Sequence, residues 1–258
     1  MKEKQAPIRW RLWLTLSVWV IVLTLSGLTV RKVHRFTLRD ARFRLASPDE
    51  RAVGLSMEGL AHTSRSAVLR AFAPDFGHSI FRLPLAERRR RLLAIDWVQN
   101  AAISRIWPNR VVVRITERKP VAFVQIPLRG SRGARPFLID AEGVLLEPPA
   151  GRFHFPVLSG ISDEQTEPER RERVHSMMRL MDEVGPLAKE VSEVNSAEPE
   201  DLRVVIGVEG RALELWMGDR NFGRRLENFL NHYPEIRKHS GNVTKFDLRL
   251  DGRVITKG

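Results

Sequence analysis

The chain has 258 residues, of which 43% are hydrophobic and 29% charged, a balance that is typical of globular proteins and argues against wholesale disorder. It contains no cysteine, which excludes disulfide bonds, thiolate metal sites and thiol catalysis. The formal net charge is +12, but residues 1–35 hold seven Lys and Arg side chains against one Glu, so half of the excess flanks one apolar segment instead of forming a nucleic-acid-binding patch.

The apolar segment Leu12–Val30 carries no charged side chain. At a helical rise of about 1.5 Å per residue it spans roughly 28 Å, close to the thickness of the hydrocarbon layer of a membrane. A cleaved signal peptide usually has a shorter apolar region followed by a small-x-small cleavage site, which this stretch lacks. The sequence therefore predicts one membrane-spanning helix at residues 12–30, preceded by a tail at residues 1–11. Lys and Arg flank the segment on both sides, so charge alone leaves its orientation open.

A basic connector with strand-like pieces is predicted at residues 31–50. It is followed by a short strand, Val53–Gly59, which ends in a turn glycine. Thr63 or Ser64 can cap the next helix, because a side-chain oxygen at that position accepts a backbone N–H. The apolar residues of this helix share one face: Val68, Leu69 and Phe72.

A second helix and a β-hairpin complete the block of residues 51–122. The basic run Arg88–Arg91 is interpreted as a solvated face of that helix. Ala101–Ile106 and Val111–Thr116 are strand-like, the latter with the two-residue alternation of a half-buried strand, and Trp107–Arg110 supplies the turn between them. The predicted order of elements is strand, helix, helix, strand, strand.

Residues 123–258 are predicted to form an antiparallel β-rich domain with two helices. Asp140–Gly143 is the turn of a second hairpin, with glycine where a positive φ is needed. Thr166 and Glu169 have the spacing of a capping box at the start of a helix. Four apolar residues of this helix are predicted to share one face: Val174, Met177, Met178 and Met181.

The remaining segments predict a meander, a last helix and a late strand. The meander comprises Val191–Val194, Leu202–Val208 and Ala212–Met217, and the late strand material is Val243–Leu250 and Arg253–Ile255 around a turn at residues 251–252. The last helix begins at Asn221 and presents one apolar face: Phe222, Leu226, Phe229, Leu230 and Tyr233.

Signatures of catalysis and metal binding are missing from the sequence. The histidines show no metal-ligand spacing, and the chain has neither a G-x-S-x-G elbow nor a P-loop. Asp140 and Glu142 could be imagined as an acid and a base, but on a tight turn they are interpreted as solvated turn residues. The sequence therefore predicts no catalytic residue, no metal site, no cofactor, no small-molecule substrate and no nucleic-acid partner.

Several short motifs occur in an order that resembles one known family. They are Trp97-Val98, Arg105 before Trp107-Pro108, the alternating strand after them, Glu117-Arg118 before Pro120-Val121-Ala122, Asp140-x-x-Gly143, and Phe155–Gly160. In this order the chain is similar to the FtsQ/DivIB family of bacterial cell division proteins. The resemblance implies an α+β protein, in which an N-terminal membrane helix carries a POTRA-like domain of β-α-α-β-β order and then a β domain.

The resemblance also implies a partner-binding site near the C-terminus. Asp247, Leu248 and Arg249 match the Asp-Leu-Arg-aromatic segment of the family, whereas Leu250 replaces the aromatic residue. In the family this segment lies at the docking edge for FtsB, a small coiled-coil membrane protein. The expected contact residues, among which Arg249 would pair with a partner carboxylate, are Phe246, Asp247, Leu248, Arg249, Leu250 and Val254. Periodicity alone leaves open that the segment is an ordinary paired strand with an ordinary surface.

The function that the resemblance implies is a scaffold of the bacterial divisome with no reaction of its own. The POTRA-like domain would help to recruit it to the septum, and the β domain would hold FtsB-like and FtsL-like partners by strand addition, which links them to septal peptidoglycan synthesis. The implied location is the inner membrane, with a cytoplasmic N-terminus and periplasmic C-terminal domains. Two alternatives are a POTRA-type chaperone that hands on extended polypeptides and a membrane-tethered nucleic-acid-binding protein.

Overall fold

The computed structural model describes residues 8–47, 54–127, 133–250 and 253–257. The chain divides into two compact units, residues 1–117 and residues 118–258, which we call the N-terminal unit and the C-terminal unit. The predicted boundary after residue 122 falls inside a strand of the C-terminal unit, Pro120–Pro127.

The N-terminal unit begins with α1 (Ile8–Arg39), a helix longer than the predicted span. Its segment Trp13–Arg39 is long and apolar enough to cross a membrane, and none of that segment is buried within the protein. The strand-like pieces predicted for the connector are wrong for residues 31–39, because these residues continue the helix. Asp40 then caps a short 3₁₀ turn, Ala41–Phe43, by accepting a hydrogen bond from the Arg42 amide.

The rest of the N-terminal unit has the predicted strand, helix, helix, strand, strand order. Its elements are β1 (Leu55–Glu58), α2 (Arg65–Phe72), α3 (Leu85–Leu93), β2 (Val98–Ile106) and β3 (Arg110–Glu117). The sheet order is β1-β3-β2, with β1 parallel and β2 antiparallel to the central strand β3. The fold implied by the family resemblance is therefore confirmed for this unit.

The core of the N-terminal unit lies between the two helices and one face of the sheet. The alternating residues of β3 point into it as predicted, with Val111 and Val113 fully buried and Ile115 6% exposed. Helix α2 contributes Val68 and Phe72. The apolar residues recur about every 3.6 positions in the helix and every 2 positions in the strand, and together they form one hydrophobic layer.

Arg88 does not lie on a solvated helix face, so the prediction for the run Arg88–Arg91 is wrong at its first residue. Arg88 is 4% exposed, and its Nε and Nη2 atoms donate to the two carboxylate oxygens of Asp75 at 2.5 and 3.0 Å. Asp75 ends a 3₁₀ turn after α2, so this bidentate ion pair ties the two helices together. Helical periodicity predicts that charged residues face solvent. It cannot show that another segment supplies a buried carboxylate, here that of Asp75, to pair with one of them.

The C-terminal unit is a long sheet with two helices. Its elements are β4 (Pro120–Pro127), β5 (Ala134–Asp140), β6 (Leu145–Leu146), β7 (Val157–Ser159), α4 (Glu167–Val184), β8 (Val191–Asn195), β9 (Leu202–Val208), β10 (Arg211–Gly218), α5 (Phe222–Ser240), β11 (Lys245–Asp247) and β12 (Ile255–Lys257). Among the described strands the order is β12-β11-β10-β9-β8-β7-β4-β5-β6.

This sheet is mixed, so the predicted antiparallel domain needs correction. Within the described part of the chain, β4 and β7, β7 and β8, and β10 and β11 pair in parallel. Helix α4 connects β7 to β8 and α5 connects β10 to β11. A parallel pair needs such a crossover, since a tight hairpin can join only antiparallel strands. The two helices are thus the physical reason for two of the parallel pairings.

The hairpin between β5 and β6 confirms the turn prediction but not the solvated state of Asp140. Gly143 has φ +81°, and a Cβ atom there would lie 2.6 Å from the Arg171 nitrogen. Asp140 is only 3% exposed, and its Oδ1 accepts the amides of Glu142 and Val144 at 3.0 and 2.8 Å. Its Oδ2 accepts from Arg118 at 2.8 Å, so the carboxylate organises the turn from inside.

Both helices of the C-terminal unit pack where their periodicity predicts. The capping box of Thr166 and Glu169 is present at the start of α4. The buried residues of α4 are Val174, Met177, Leu180 and Val184, with Met178 and Met181 partly buried beside them. The buried residues of α5 are Phe222, Leu226, Phe229 and Tyr233, with Leu230 partly buried.

Glu117, the last residue of β3, holds the loop that precedes α2. Its carboxylate accepts the amides of Ala61 and His62 at 3.0 Å and of Thr63 at 2.6 Å. Burial raises the pKa of Glu117, but hydrogen bonds from Thr63, His62 and Ala61 outweigh burial and leave the pKa below its ordinary value. A carboxylate whose pKa is lowered by folding stabilises the folded state above its unfolded pKa, and the contribution is lost as the pH falls.

We expect Glu117→Gln to speed hydrogen exchange at the amides of Ala61, His62 and Thr63, because a neutral oxygen replaces a charged acceptor. Hydrogen bonds to charged groups contribute about 1.5–3 kcal/mol, so the local opening free energy should fall by about 1–2 kcal/mol. Hydrogen exchange followed by mass spectrometry measures this. Glu58→Gln is the control, since Glu58 pairs with Arg114 on the solvated surface. Equal effects of the two changes would contradict this role of Glu117.

Candidate functional site

The predicted docking strand is not the outermost strand of the sheet. β11 lies between β10 and β12, with Phe246 opposite Leu215 on one side and Thr256 on the other. Among the described strands β12 is the last at this end, so it presents the free edge. The structure shortens the predicted strand Val243–Leu250 to Lys245–Asp247, and the predicted turn at residues 251–252 lies outside the described residues.

Two of the six predicted contact residues are part of the core. Phe246 is fully buried, and its ring lies 5.1 Å from that of Phe229 and 6.2 Å from that of Tyr233, both on α5. Leu248 is 3% exposed, and its amide donates to the Trp216 carbonyl at 3.0 Å. These buried side chains hold the strand against α5.

Asp247 is also buried, at 7% exposure, and its charge is balanced from two sides. Its Oδ2 lies 2.6 Å from Arg249 Nη2 and 3.3 Å from Lys257 Nζ, while its Oδ1 accepts the amide of Arg249 at 3.1 Å. The Arg249 hydrogen bonds outweigh burial and lower the pKa of Asp247 to about 2. The Lys257 ammonium also lies 4.6 Å from the centre of the Trp216 ring, so β12 is fastened to the sheet by side chains as well as by backbone.

Arg249 is half-exposed, but its guanidinium is engaged within the chain. Besides Asp247, its Nη1 lies 3.2 Å from Asp201 Oδ2, and Arg225 donates to its carbonyl at 2.8 Å. Hydrogen bonds to Asp247 raise the pKa of Arg249. The sequence predicts that Arg249 pairs with a carboxylate of a partner. In the structure, two carboxylates of the chain itself, those of Asp201 and Asp247, pair with it. A glutamate at this position would place three carboxylates together and disturb the fold.

Leu250 and Val254 are the predicted contact residues that remain open to solvent. Leu250 is 55% exposed and Val254 is partly buried. Ile255, which the sequence analysis did not include, is 45% exposed at the start of β12. Among the described residues, Leu250 and Ile255 are the large apolar side chains that the C-terminal unit exposes.

A groove of about 300 Å³ lies beside these residues, between α5 and the strand ends. Its lining combines apolar and charged side chains: Arg224, Arg225, Glu227, Asn228, Phe229, Asn231, Leu248, Leu250, Arg253 and Val254. Three arginines against one glutamate make the groove basic. We call the groove together with β12 and Leu250 the C-terminal edge.

Ile255, Arg224 and Arg253 lie outside the motif at residues 246–250, so the motif could not identify them. Exposure at this edge depends on which strand lies outermost and on where α5 runs. A signal was available in the short strand-like stretch Arg253–Ile255, which follows the motif and can pair with it.

The part of the chain that the structure describes offers no cluster of metal-ligating side chains. In the described residues no group of three or more His, Cys, Asp or Glu side chains could hold a metal ion. A second, more open groove of about 850 Å³ includes Glu198, Glu200 and Asp219, but Arg173, Arg220 and Arg249 lie among them. This mixture of charges is typical of a solvated surface.

Comparisons with known proteins match both units of the chain. A family model described as "POTRA domain, FtsQ-type" matches residues 55–118. A second, described as "Cell division protein FtsQ/DivIB, C-terminal", matches residues 131–249, so the two together match more than half of the chain. The second match includes β11 and ends at Arg249.

Curated relatives agree with these family models. A "Cell division protein FtsQ" of Koribacter versatilis is 36% identical over 83% of this chain, and the match spans 61% of that relative's length. A protein of the same name from Syntrophotalea carbinolica is 23% identical over 99% of this chain and 90% of its own length. One from Novosphingobium aromaticivorans is 29% identical over 79% of this chain and 60% of its own length.

Asp247→Asn tests the ion pairs that fasten β12. Because the pKa of Asp247 is about 2 in the folded chain and 3.8 in the unfolded reference, the carboxylate stabilises the fold at neutral pH by about 2 kcal/mol. The contribution is complete above about pH 5, falls to about half at pH 3, and is lost as the pH approaches 2. We expect the variant to lose this amount at pH 7 and to approach the parent protein in acid.

Urea unfolding at pH 7, 4 and 3, followed by hydrogen exchange in peptides that contain β10 and β11, measures this difference. Asp219→Asn is the matched control, since Asp219 is 54% exposed and lies 3.9 Å from its partner Arg220. A difference between Asp247→Asn and the parent protein that stays constant with pH would refute the assignment.

Proposed function

Since the chain belongs to the FtsQ/DivIB family of cell division proteins, we propose that it is a single-pass membrane scaffold that binds partner proteins at the division septum and catalyses no reaction. The partners we propose are FtsB-like and FtsL-like coiled-coil proteins, which the scaffold would link to septal peptidoglycan synthesis. The observation that carries this proposal is the C-terminal edge, where exposed apolar side chains meet a free strand.

Backbone groups on the outer side of β12 are suited to strand addition. The inner side of β12 pairs with β11 through Ile255, Thr256 and Lys257. An outermost strand keeps unpaired N–H and C=O groups on its other side, and these can accept an extended segment of a partner. Such a segment would continue the sheet of the C-terminal unit.

Side chains at the C-terminal edge add an apolar and an electrostatic contribution. Leu250 and Ile255 are exposed large apolar residues, and burying each of them would contribute about 1–2 kcal/mol. Arg224 and Arg253 line the groove and are exposed. They replace Arg249 as the arginines that we propose for contact with an acidic partner, because Arg249 is occupied by Asp201 and Asp247.

The membrane arrangement of the proposal is a cytoplasmic N-terminus with both units outside the cytoplasm. α1 supports a single span by its length and composition. The POTRA-like fold of the N-terminal unit supports a role in recruitment, because β1 and β2 both lie at sheet edges. This arrangement also separates the scaffold from the nucleic-acid alternative, which requires a cytoplasmic C-terminal unit.

Leu250→Ser combined with Ile255→Ser should weaken partner binding while leaving the fold intact, because both side chains are exposed. Loss of two apolar contacts of about 1–2 kcal/mol each predicts an affinity lower by about thirtyfold to a thousandfold. Titration of the detergent-solubilised protein with the extracytoplasmic part of an FtsB-like partner measures the dissociation constant.

Leu145→Ser is the matched control, since β6 is the strand at the opposite end of the same sheet. It should leave the dissociation constant unchanged. Circular dichroism verifies that both variants remain folded. Unchanged binding by the Leu250 and Ile255 variant would remove the C-terminal edge from the proposal.

A reporter fused to the C-terminus tests topology, and depletion of the protein tests the division role. We expect the reporter to be active outside the cytoplasm and the depleted cells to form unseparated filaments. A cytoplasmic reporter would exclude the scaffold and favour nucleic-acid binding. Normal septation after depletion would contradict a division role.

A further inference from the structure

An apolar surface lies at the end of the N-terminal unit where α1 enters it. The buried ring of Phe43 contacts three other aromatic rings, with centroid distances of 5.6 Å to Phe36, 5.6 Å to Phe81 and 6.0 Å to Trp107. Those three rings are exposed at 47%, 41% and 72%, and Ile106 beside Trp107 is 43% exposed. We call these five residues the apolar tip.

The apolar tip is built from three separate segments that are fixed to one another. The Ser79 hydroxyl donates to the Thr37 carbonyl at 2.7 Å, which joins the last turn of α1 to the loop that carries Phe81. Arg105 Nη2 donates to the Leu83 carbonyl at 2.5 Å, which joins the same loop to the end of β2. The exposed rings therefore form one surface with a fixed position relative to the end of α1.

This surface accounts for the large apolar side chains that the N-terminal unit exposes outside α1. Among its described residues these are Phe81, Ile106 and Trp107, and all three belong to the apolar tip. Single exposed apolar residues need no explanation, but a contiguous aromatic patch marks a binding surface.

The position of the apolar tip along α1 indicates a membrane as its partner. Trp13–Arg39 comprises 27 residues, which at about 1.5 Å each measure roughly 40 Å. That length matches a bilayer including both headgroup layers, so the last turn of α1 lies at headgroup level. Phe36 and Thr37 belong to that turn, and the rings fixed to it lie at the same level. Tryptophan is enriched at this interface because its ring is apolar and its N–H is polar.

Charge around the apolar tip is complementary to anionic headgroups. The segments 31–47, 77–83 and 103–112 contain nine Lys and Arg residues and one acidic residue, Asp40. Asp40 is paired with Arg42 at 3.1 Å. The guanidinium of Arg42 in turn lies 5.3 Å from the centre of the Phe36 ring, so cationic and aromatic groups alternate on one surface.

We propose that the apolar tip lies in the headgroup layer of the anionic membrane that α1 spans, and that it holds the N-terminal unit against the lipid surface. This contact goes beyond the proposed division function, because it involves no protein partner and no residue of the C-terminal edge. It would restrict the N-terminal unit to one orientation on the bilayer.

Single spin labels can test the contact, because the chain contains no cysteine that would compete for the label. Asn109→Cys places a label next to Trp107, and Gln99→Cys places one at the opposite end of β2, about 23 Å away along the strand. The full chain is reconstituted in nanodiscs of phosphatidylcholine with or without phosphatidylglycerol. Power saturation with oxygen and with a water-soluble nickel complex then measures the immersion of each label.

We expect the label at position 109 to be several-fold more shielded from nickel than the label at position 99, and more so with phosphatidylglycerol. Phe81→Ser with Trp107→Ser should return the label at position 109 to water. Leu250→Ser with Ile255→Ser, the matched change in the other unit, should leave it immersed. Because this control changes only the C-terminal edge, the experiment can refute the membrane contact without refuting the proposed partner site, and the reverse.

Equal nickel accessibility at positions 99 and 109 in both lipid compositions would overturn the proposal. If the label at position 109 is equally immersed with and without phosphatidylglycerol, the proposed attraction to anionic headgroups is wrong. Dipolar broadening between labels on two chains would assign the apolar tip to a second copy and would also overturn it. Circular dichroism of the serine variant verifies that the helices and sheets remain.

Discussion

The packing of Phe246 against Phe229 and Tyr233 is the interaction on which the C-terminal edge depends. α5 crosses from the end of β10 to the start of β11, and this crossover allows β11 to pair with β10 in parallel. Burying Phe246 under that helix fixes the register of β11, with Leu215 opposite Phe246. β12 then pairs with β11, and its position as the outermost strand follows. If Phe246 were truncated to alanine, the cavity would cost about 3–5 kcal/mol and would loosen the strand that carries the site.

Features that could be predicted from the sequence are those that a few neighbouring residues determine. Gly143 adopts the positive φ of a tight turn, Thr166 and Glu169 cap α4, and the residues of α5 from Phe222 to Tyr233 share a face, because each depends on spacings of one to four residues. Pairing direction is different, since it depends on segments that are far apart in sequence. The antiparallel assignment failed for β11 because the pattern of residues in a strand does not determine which strand it pairs with or in which direction, even though a helix was predicted between β10 and β11.

Buried charges were the other kind of feature that the sequence concealed. Arg88 follows the pattern of a solvated helix residue, and Asp140 that of a solvated turn residue, yet both are buried because Asp75 and Arg118 meet them from distant segments. Asp247 and Arg249 were expected to face a partner and instead balance each other. In each case a carboxylate and a guanidinium satisfy one another, which permits burial that either charge alone could not sustain. The candidate site shifted by several residues, from Phe246–Leu250 to Leu250 and β12, for this reason.

A short edge strand restricts which partners can bind. β12 has three residues, so strand addition supplies only a few backbone hydrogen bonds, each worth about 1 kcal/mol net. A micromolar complex needs about 8 kcal/mol, so pairing with β12 alone cannot hold a partner. The shortness of the strand and the charge of Lys257 also discourage pairing between two copies of the chain. In the proposed complex, specific binding would therefore also draw on Leu250, Ile255 and the basic groove beside α5. A partner suited to this surface would present apolar and acidic side chains next to its extended segment.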